Sequence, residues 1–446
     1  MVSDMKKSRG FRSVLRWSAR VLVCLVALLV VAFLVVFRQA LYHRFVAFPR
    51  EARAWQAIRA TRIDPPLDDG WEEYRGVCHS HSEVSHDSNV PFEEILAVLK
   101  ETDRDFICMS DHCVDGKADY SLQWKGLKDG KLFVRGFEMS YGFMPWGLPD
   151  ETVLDCGEEP APLAERIAGL GGLLFIAHSE EKRDWDLPEI VGMEIYNIHT
   201  DFKDEGFKTL GPDILLNLRA YPDQTFRLLF DRQTAVLANW DRLNATRKMV
   251  GIAANDCHQN NGVRGYYTER GTLLLEDTSP QTIGEYKLNP LTRPLVRVLF
   301  GPLEPGRELF HIQLDPYERM VRFVSTHVLA RELTEEALLD GLEQGRVFIG
   351  FDMIADSTGF AYLAETSDRT AVMGEALPFE AGLRLRAGSP CPCRFNVLRD
   401  GAVVWQSEGR ELDWQPEGPG KYRIEAELDI RGQWVPWVYT NPIELT

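Results

Sequence analysis

Short apolar runs recur through the middle of the chain, and a histidine, aspartate or glutamate closes each almost at once. YRGVC precedes His79, DFICMS precedes Asp111 and His112, and KLFVRGF precedes Glu138. GGLLFIA then precedes His178, EIVGM precedes Glu194, MVGIAA precedes Asp256 and His258, and MVRFVST precedes His327. Runs of this length with polar boundaries read as buried strands. Between several of them lie segments of helical period: PFEEILAVLKE from Pro91, PLAERIAGLG from Pro162, TAVLANWDRLNAT from Thr234 and TEEALLDGLEQG from Thr334. Strands that alternate with helices imply parallel pairing. Ligand-type residues at successive strand ends imply a (β/α) barrel, whose carboxyl rim gathers them. An open doubly wound sheet would not easily bring six strand ends into one site.

The texture changes on both sides of this region. Residues 351–446 are short alternating segments separated by Gly, Pro and Asp-Gly turns, which predicts an all-β, sandwich-like domain. Its tryptophans Trp405, Trp414, Trp434 and Trp437 suit a small sandwich core better than a sugar platform. Residues 199–247 read as a helical insertion. At the N-terminus, residues 1–20 are basic, and VLVCLVALLVVAFLVVF at 21–37 is an apolar run of seventeen between Arg20 and Arg38. That length is near the lower limit for a span. RQALYHRF after it is a poor cleavage context, so a single-pass anchor is expected, with the body outside the cytoplasm. Residues 38–70 follow as a helical stalk ending at the turn-rich DPPLDDG.

Charge narrows the partners. Residues 1–62 hold twelve Lys or Arg against two acids, so residues 63–446 carry −27 of a chain total of −17. Such a body does not suit a nucleic-acid backbone, and no nucleic acid is expected. A small phosphorylated substrate stays open, because bound cations reverse the local field. Eight cysteines show no zinc-finger spacing, and no disulfide pairing is readable from them.

The chemistry lies in HSHSEVSHD, residues 79–87. His79 and His81 are two apart, so on an extended chain both reach one ion. Asp256 and His258 repeat that spacing. Imidazoles with carboxylates suit zinc, manganese or iron. Eight candidates exceed what one tetrahedral ion uses, which predicts a cluster of two or three divalent ions and metal-assisted hydrolysis with a metal-held water as nucleophile. No G-x-S-x-G elbow, phosphate-binding GxxxxGK[ST] or dinucleotide fingerprint is present.

Taken in order and spacing, HSHSEVSHD, MSDH at 109–112, GFE at 136–138, AHS at 177–179 and NDCH at 255–258 resemble the motifs of the PHP (polymerase and histidinol phosphatase) family, over roughly 75–330. The resemblance implies a distorted (β/α)7 barrel over 71–350 with a di- or trinuclear metal centre. By similarity His79, His81 and Asp256 would bind the first ion. Glu138 would bridge it to a second, bound by His178. Asp87, with His86 as the alternative, would bind the third together with His112 and His258. Asp111 would orient a ligand, Glu194 would be structural or supporting, and Arg264 in NGVRGYY is the candidate phosphate clamp. The family often supplies a further histidine between Glu138 and His178. Residues 139–177 hold none, and offer Asp150, Glu151, Asp155 and Cys156 instead. The expected function is a membrane-anchored phosphoesterase. Alternatives are a non-catalytic, metal-stabilised scaffold, for which the missing histidine speaks, and hydrolysis of an amide or lactone.

Overall fold

The apolar runs form short strands arranged in separate sheets. In the computed structural model, which describes residues 2–65, 67–204, 207–278 and 281–446, Glu72–Cys78 lies parallel to Phe106–Cys108, itself parallel to Lys131–Val134. On its other side Glu72–Cys78 pairs antiparallel with Ser325–Ala330. A second sheet sets Leu173–Ile176, Ile190–Asn197 and Val250–Ala254 parallel, with Phe143–Trp146 added antiparallel. Side chains from both sheets, among them Phe106, Trp146, Phe175, Ile252 and Val328, share one apolar cluster with Leu342.

The helices follow their sequence signals. Phe92–Glu101 buries Phe92, Ile95, Val98 and Leu99, and Thr234–Asn244 buries Val236, Leu237, Trp240 and Leu243. Both sets keep the three-and-four spacing of one helix face. Glu335–Gln344 begins where the Thr334 side chain accepts from the Ala337 N–H, and stops at Gly345 in the left-handed conformation.

The expected barrel does not close: among the described residues no sheet pairs with its own far edge. The chain turns at the ligand positions themselves. His79, His178 and Asp256 take φ of 62°, 49° and 46°, a region that ends extended pairing and that non-glycine residues seldom occupy. Isolated backbone bonds join the two parallel sheets there instead. His81 N–H donates to Cys257 O at 3.0 Å, and Asn255 N–H to Cys78 O at 3.1 Å. A third, antiparallel sheet of Gly262–Tyr267, Thr272–Asp277, Thr282–Lys287 and Glu308–Gln313 was not expected from the sequence.

The C-terminal region is all-β, antiparallel except where Ala376–Leu377 pairs parallel with Ile443–Leu445. Its strands are not a free-standing sandwich, because Gln433–Thr440 pairs with Val347–Gly350 and joins them to the large sheet. Trp437 is fully buried and donates to Ala355 O at 2.8 Å.

The chain divides into two units, Met1–Ala54 with Phe202–Phe230, and Trp55–Asp201 with Asp231–Thr446. In the first, the helix Val2–Val36 leads into Arg38–Tyr42 and a π-turn at His43–Ala47. Part of the expected insertion braces this segment. Asp213 Oδ1 accepts from His43 Nδ1 at 2.9 Å, and Asn217 Nδ2 donates to Ala40 O at 3.0 Å. Among the described residues no single helix is long and apolar enough to cross a membrane. One pair, Arg20–Val36 and Arg38–Arg59, bent by 72°, reaches that length and composition together.

Candidate metal centre

The strand ends converge. His79 and His81 follow Glu72–Cys78, His178 follows Leu173–Ile176, and Asp256 and His258 follow Val250–Ala254. Glu138 ends a two-residue strand paired with Asp111–His112. Asp256 Oδ1 lies 3.3 Å from His79 Nε2, 3.4 Å from His81 Nε2 and 3.2 Å from His258 Nδ1. Glu138 Oε2 lies 3.3 Å from His79 Nε2, 3.7 Å from His81 Nε2 and 3.5 Å from His112 Nδ1, while its Oε1 lies 3.2 Å from His178 Nε2. Asp87 Oδ2 sits 3.4 Å from His112 Nε2 and 3.2 Å from His258 Nε2. All eight candidate ligands therefore meet, and Glu138 and Asp256 are the carboxylates that touch the most imidazoles.

The donor set fits cations. Donors sharing a tetrahedral ion at roughly 2.0–2.1 Å stand ~3.3 Å apart, which is the spacing found here. His81 Nε2, Asp256 Oδ1 and Asp87 Oδ1 are buried atoms without a hydrogen-bond partner, and buried polar atoms rarely go unpaired. Potential ligand atoms fall into overlapping groups: His79, His81 and Glu138; His79, His178 and Asp256; His81, Asp87, His112 and His258; His199, Asp256 and His258. Left-handed backbone at three of these residues is local strain of the kind that concentrates at functional sites.

Neighbouring residues fix the rings. Glu194 accepts a short hydrogen bond from His79 Nδ1, and also accepts from the backbone N–H of His178 at 2.8 Å and from Asn197 Nδ2 at 3.0 Å. His79 thereby turns Nε2 toward Glu138 and Asp256. His258 Nδ1 lies 3.1 Å from the backbone O of Asp256, leaving Nε2 for Asp87. Asp111, expected beside an imidazole, instead holds the motif loop. It accepts from Ser82 N at 2.5 Å, from the Ser82 hydroxyl and from Gln123 Nε2 at 2.7 Å. Burial pushes its carboxyl up to about 6 despite these bonds.

The electrostatics are those of ligands sharing charge. Burial opposes the charged form of His79, yet Asp256, Glu194 and Glu138 hold it well above its ordinary range. His178, also disfavoured by burial, is raised to about 11 by Glu138 and Glu180, and His258 to about 10 by Asp256 and Asp87. His81 goes the other way, lowered by burial and by the neighbouring His258, whose ring centre is 3.7 Å away. Burial would raise Glu138 and Asp256, but the imidazoles around them, His79 foremost, hold both well below the usual carboxylate range. Protons and metal ions compete for these same lone pairs.

Several sequence candidates lie elsewhere. His86 is exposed beside His112, so Asp87 is the inward residue of that pair. His327 sits within an antiparallel strand and belongs to a separate network, 2.6 Å from Glu73 and 3.1 Å from the Ser357 hydroxyl. Arg264 lies on Gly262–Tyr267 beside Tyr266, and no described contact ties it to the cluster. Of the replacements offered by 139–177, Asp150 pairs with Lys125, Asp155 accepts from Gly157 N, Glu151 is exposed, and Cys156 forms a disulfide with Cys113.

The residue that sequence reading missed is His199. It is the second residue of the helix Ile198–Asp204, just past Ile190–Asn197, and places Nδ1 3.6 Å from Asp256 Oδ2, the oxygen that also faces His178 Nε2 at 3.6 Å. The signal was its position just after a strand, in MEIYNIHT.

No protein-family model and no curated protein matches this chain. Among solved structures, the chain is similar to a two-domain protein containing a predicted PHP-like metal-dependent phosphoesterase from Bacteroides vulgatus ATCC 8482. The two share 12% identity over 85% of this chain and 98% of that one, at a TM-score of 0.35, a likeness too loose to assign a function.

Proposed function

We propose that the chain is a metal-dependent phosphoesterase of PHP type, with two or three divalent ions held at the converged strand ends. The observation that carries this reading is the packing of imidazole and carboxylate atoms at ligand-to-ligand spacing around Glu138 and Asp256. His79, His81, Glu138 and Asp256 would hold one ion. Asp87, His112 and His258, beside His81, would hold another. Glu138, His178 and Asp256 would hold the third, with His199, which faces the same Asp256 oxygen as His178, as a further candidate ligand.

Divalent ions there would supply Lewis acidity toward a phosphate oxygen and an acidified water. The protein's own part is to keep the donors aimed. Glu194 fixes His79 and the backbone at His178, and Asp111 fixes the loop between His81 and Asp87. Zinc, manganese and iron all suit this donor set.

His199 weighs against the scaffold alternative, because it adds an imidazole at the Asp256 oxygen that His178 also faces. The membrane address remains part of the proposal. Residues 21–36 expose every apolar side chain, as a lipid-facing helix would. The Cys113–Cys156 disulfide agrees with an oxidising, extracytoplasmic compartment.

The test is hydrolysis of an aryl phosphate monoester and diester with added manganese or zinc. Activity that disappears together with bound metal in His79→Ala and Asp256→Ala supports the enzyme. Full metal loading without turnover on any phosphoester favours a scaffold or a different hydrolase.

A further inference from the structure

The segment Tyr286–Leu303 departs from the body that carries it. It reads YKLNPLTRPLVRVLFGPL, with Lys287, Arg293 and Arg297 and no acidic residue, inside a body of charge −27. Its helix, Thr292–Phe300, opens where Asn289 Oδ1 accepts from the backbone N–H groups of Leu291 and Thr292, and stops at Gly301 with φ 88°. One side ties the helix to the antiparallel sheet. Arg293 donates to the Tyr267 hydroxyl at 2.8 Å, and the Phe300 and Phe310 rings lie 4.8 Å apart. The other side is aliphatic and wet. Leu291, Leu295, Val298 and Leu299 share one helical face and are 86%, 57%, 82% and 63% exposed. Ile283 and Tyr286 on the edge strand Thr282–Lys287 are exposed as well. A contiguous apolar ridge of this kind marks a contact surface.

We propose that this ridge docks on the surface of an anionic lipid bilayer, with the four aliphatic side chains in the acyl boundary and Lys287 and Arg297 at the headgroup phosphates. The charge pattern favours that occupant. A basic strip beside aliphatic residues, with Glu285 and Glu304 at its two ends, is what an interfacial helix uses, and the acidic remainder of the body is repelled by the same surface, which orients the contact. A second copy of this chain fits less well. The helix has nine residues, and at 1.5 Å per residue its one face is far smaller than the roughly 800 Å² per partner of a standard interface. This contact involves neither the metal centre nor residues 21–36.

The test uses the full chain with Cys24, the exposed free cysteine, replaced by Ser. A polarity-sensitive fluorophore is placed at Leu295→Cys or Val298→Cys, with Asp368→Cys as the exposed control. Vesicles of phosphatidylcholine with phosphatidylglycerol are compared with phosphatidylcholine alone, and emission is read on the vesicle-bound fraction. The proposal expects a blue shift and protection from an aqueous quencher at 295 and 298 in anionic vesicles, none at 368, and a loss of the shift in Arg297→Glu. Labels at 295 and 298 that stay water-like in anionic vesicles overturn it, as does a chain that binds no vesicles. A shift that appears without lipid and rises with protein concentration overturns it in favour of a second copy. Unchanged thermal unfolding of the labelled chains shows that each reading comes from folded protein.

Discussion

Glu194 stands behind the ligand atoms rather than among them, yet it should control how well the centre holds an ion; replacing it by Gln separates its structural role from its effect on the metal. Its carboxylate accepts from three donors, the buried His79 Nδ1 and Asn197 Nδ2 and the part-buried His178 N. A buried donor stripped of its acceptor costs about 1–3 kcal/mol, so truncation to Ala is bracketed at about 3–9 kcal/mol, less whatever the removed carboxylate itself lost to burial. Gln keeps one oxygen and the side-chain volume, so Glu194→Gln should lose a smaller part of that stability. Metal affinity should still fall about 10–100-fold, or about 1.4–2.7 kcal/mol, because the ring of His79 is no longer held by a charged acceptor. Competition against a chromophoric chelator measures the affinity, and urea unfolding of the metal-free chain measures stability separately. Glu194→Gln binding metal as tightly as the wild type would refute the role assigned to this residue.

Other consequences can be checked in the same way. His199→Ala should lower the number of tightly bound ions by one, read by metal analysis after gel filtration, while leaving the fold intact by circular dichroism; unchanged stoichiometry removes His199 from the ligand set. Replacing Cys113 and Cys156 together by Ser opens a link across 43 residues and should cost about 4 kcal/mol by loop entropy, seen as a lower urea midpoint. Asp352→Asn breaks a buried network in which His327 lies 3.5 Å from Asp352 and Arg104 also 3.5 Å from it. The loss should be about 3–5 kcal/mol near pH 6. Burial opposes both ionised forms, but His327, Arg104 and Arg75 hold Asp352 below its ordinary range and Asp352 and Glu73 hold His327 above its own. The Asp352 contribution is therefore present above about pH 4 and lost as pH falls further, and the His327 contribution is present below about pH 6.5 and lost as pH rises through its raised value. The difference between wild type and variant in urea midpoint should narrow on both sides of that window; a difference that is flat with pH contradicts the ion pairing.

Much of the site was legible because its chemistry is local. Paired histidines, a His-Asp repeat and polar residues ending apolar runs are visible in a row of letters, and the structure brings all eight together. Contacts that depend on long-range geometry were not legible. Cys113 and Cys156 had no spacing signature, and His199 is one histidine after a strand with nothing beside it to raise its weight. Alternation of strands and helices gave the parallel ladders but not whether they would close. That depends on sideways pairing between edge strands far apart in sequence, which the pattern of residues along the chain does not show. The C-terminal alternation predicted strands correctly and could not reveal that Gln433–Thr440 would extend an existing sheet edge. His327 shows the opposite error: a polar residue in an apolar run looked like a rim ligand, but its strand runs antiparallel and the imidazole faces Glu73 and Ser357.

The most direct measurement is elemental analysis of the purified full chain, before and after chelation. Two or three divalent ions per chain, removed by chelator, restored by manganese or zinc and lost in Asp256→Ala are the predicted result. A chain that stays free of metal in supplemented buffer, with stability indifferent to chelator, contradicts the account at its centre.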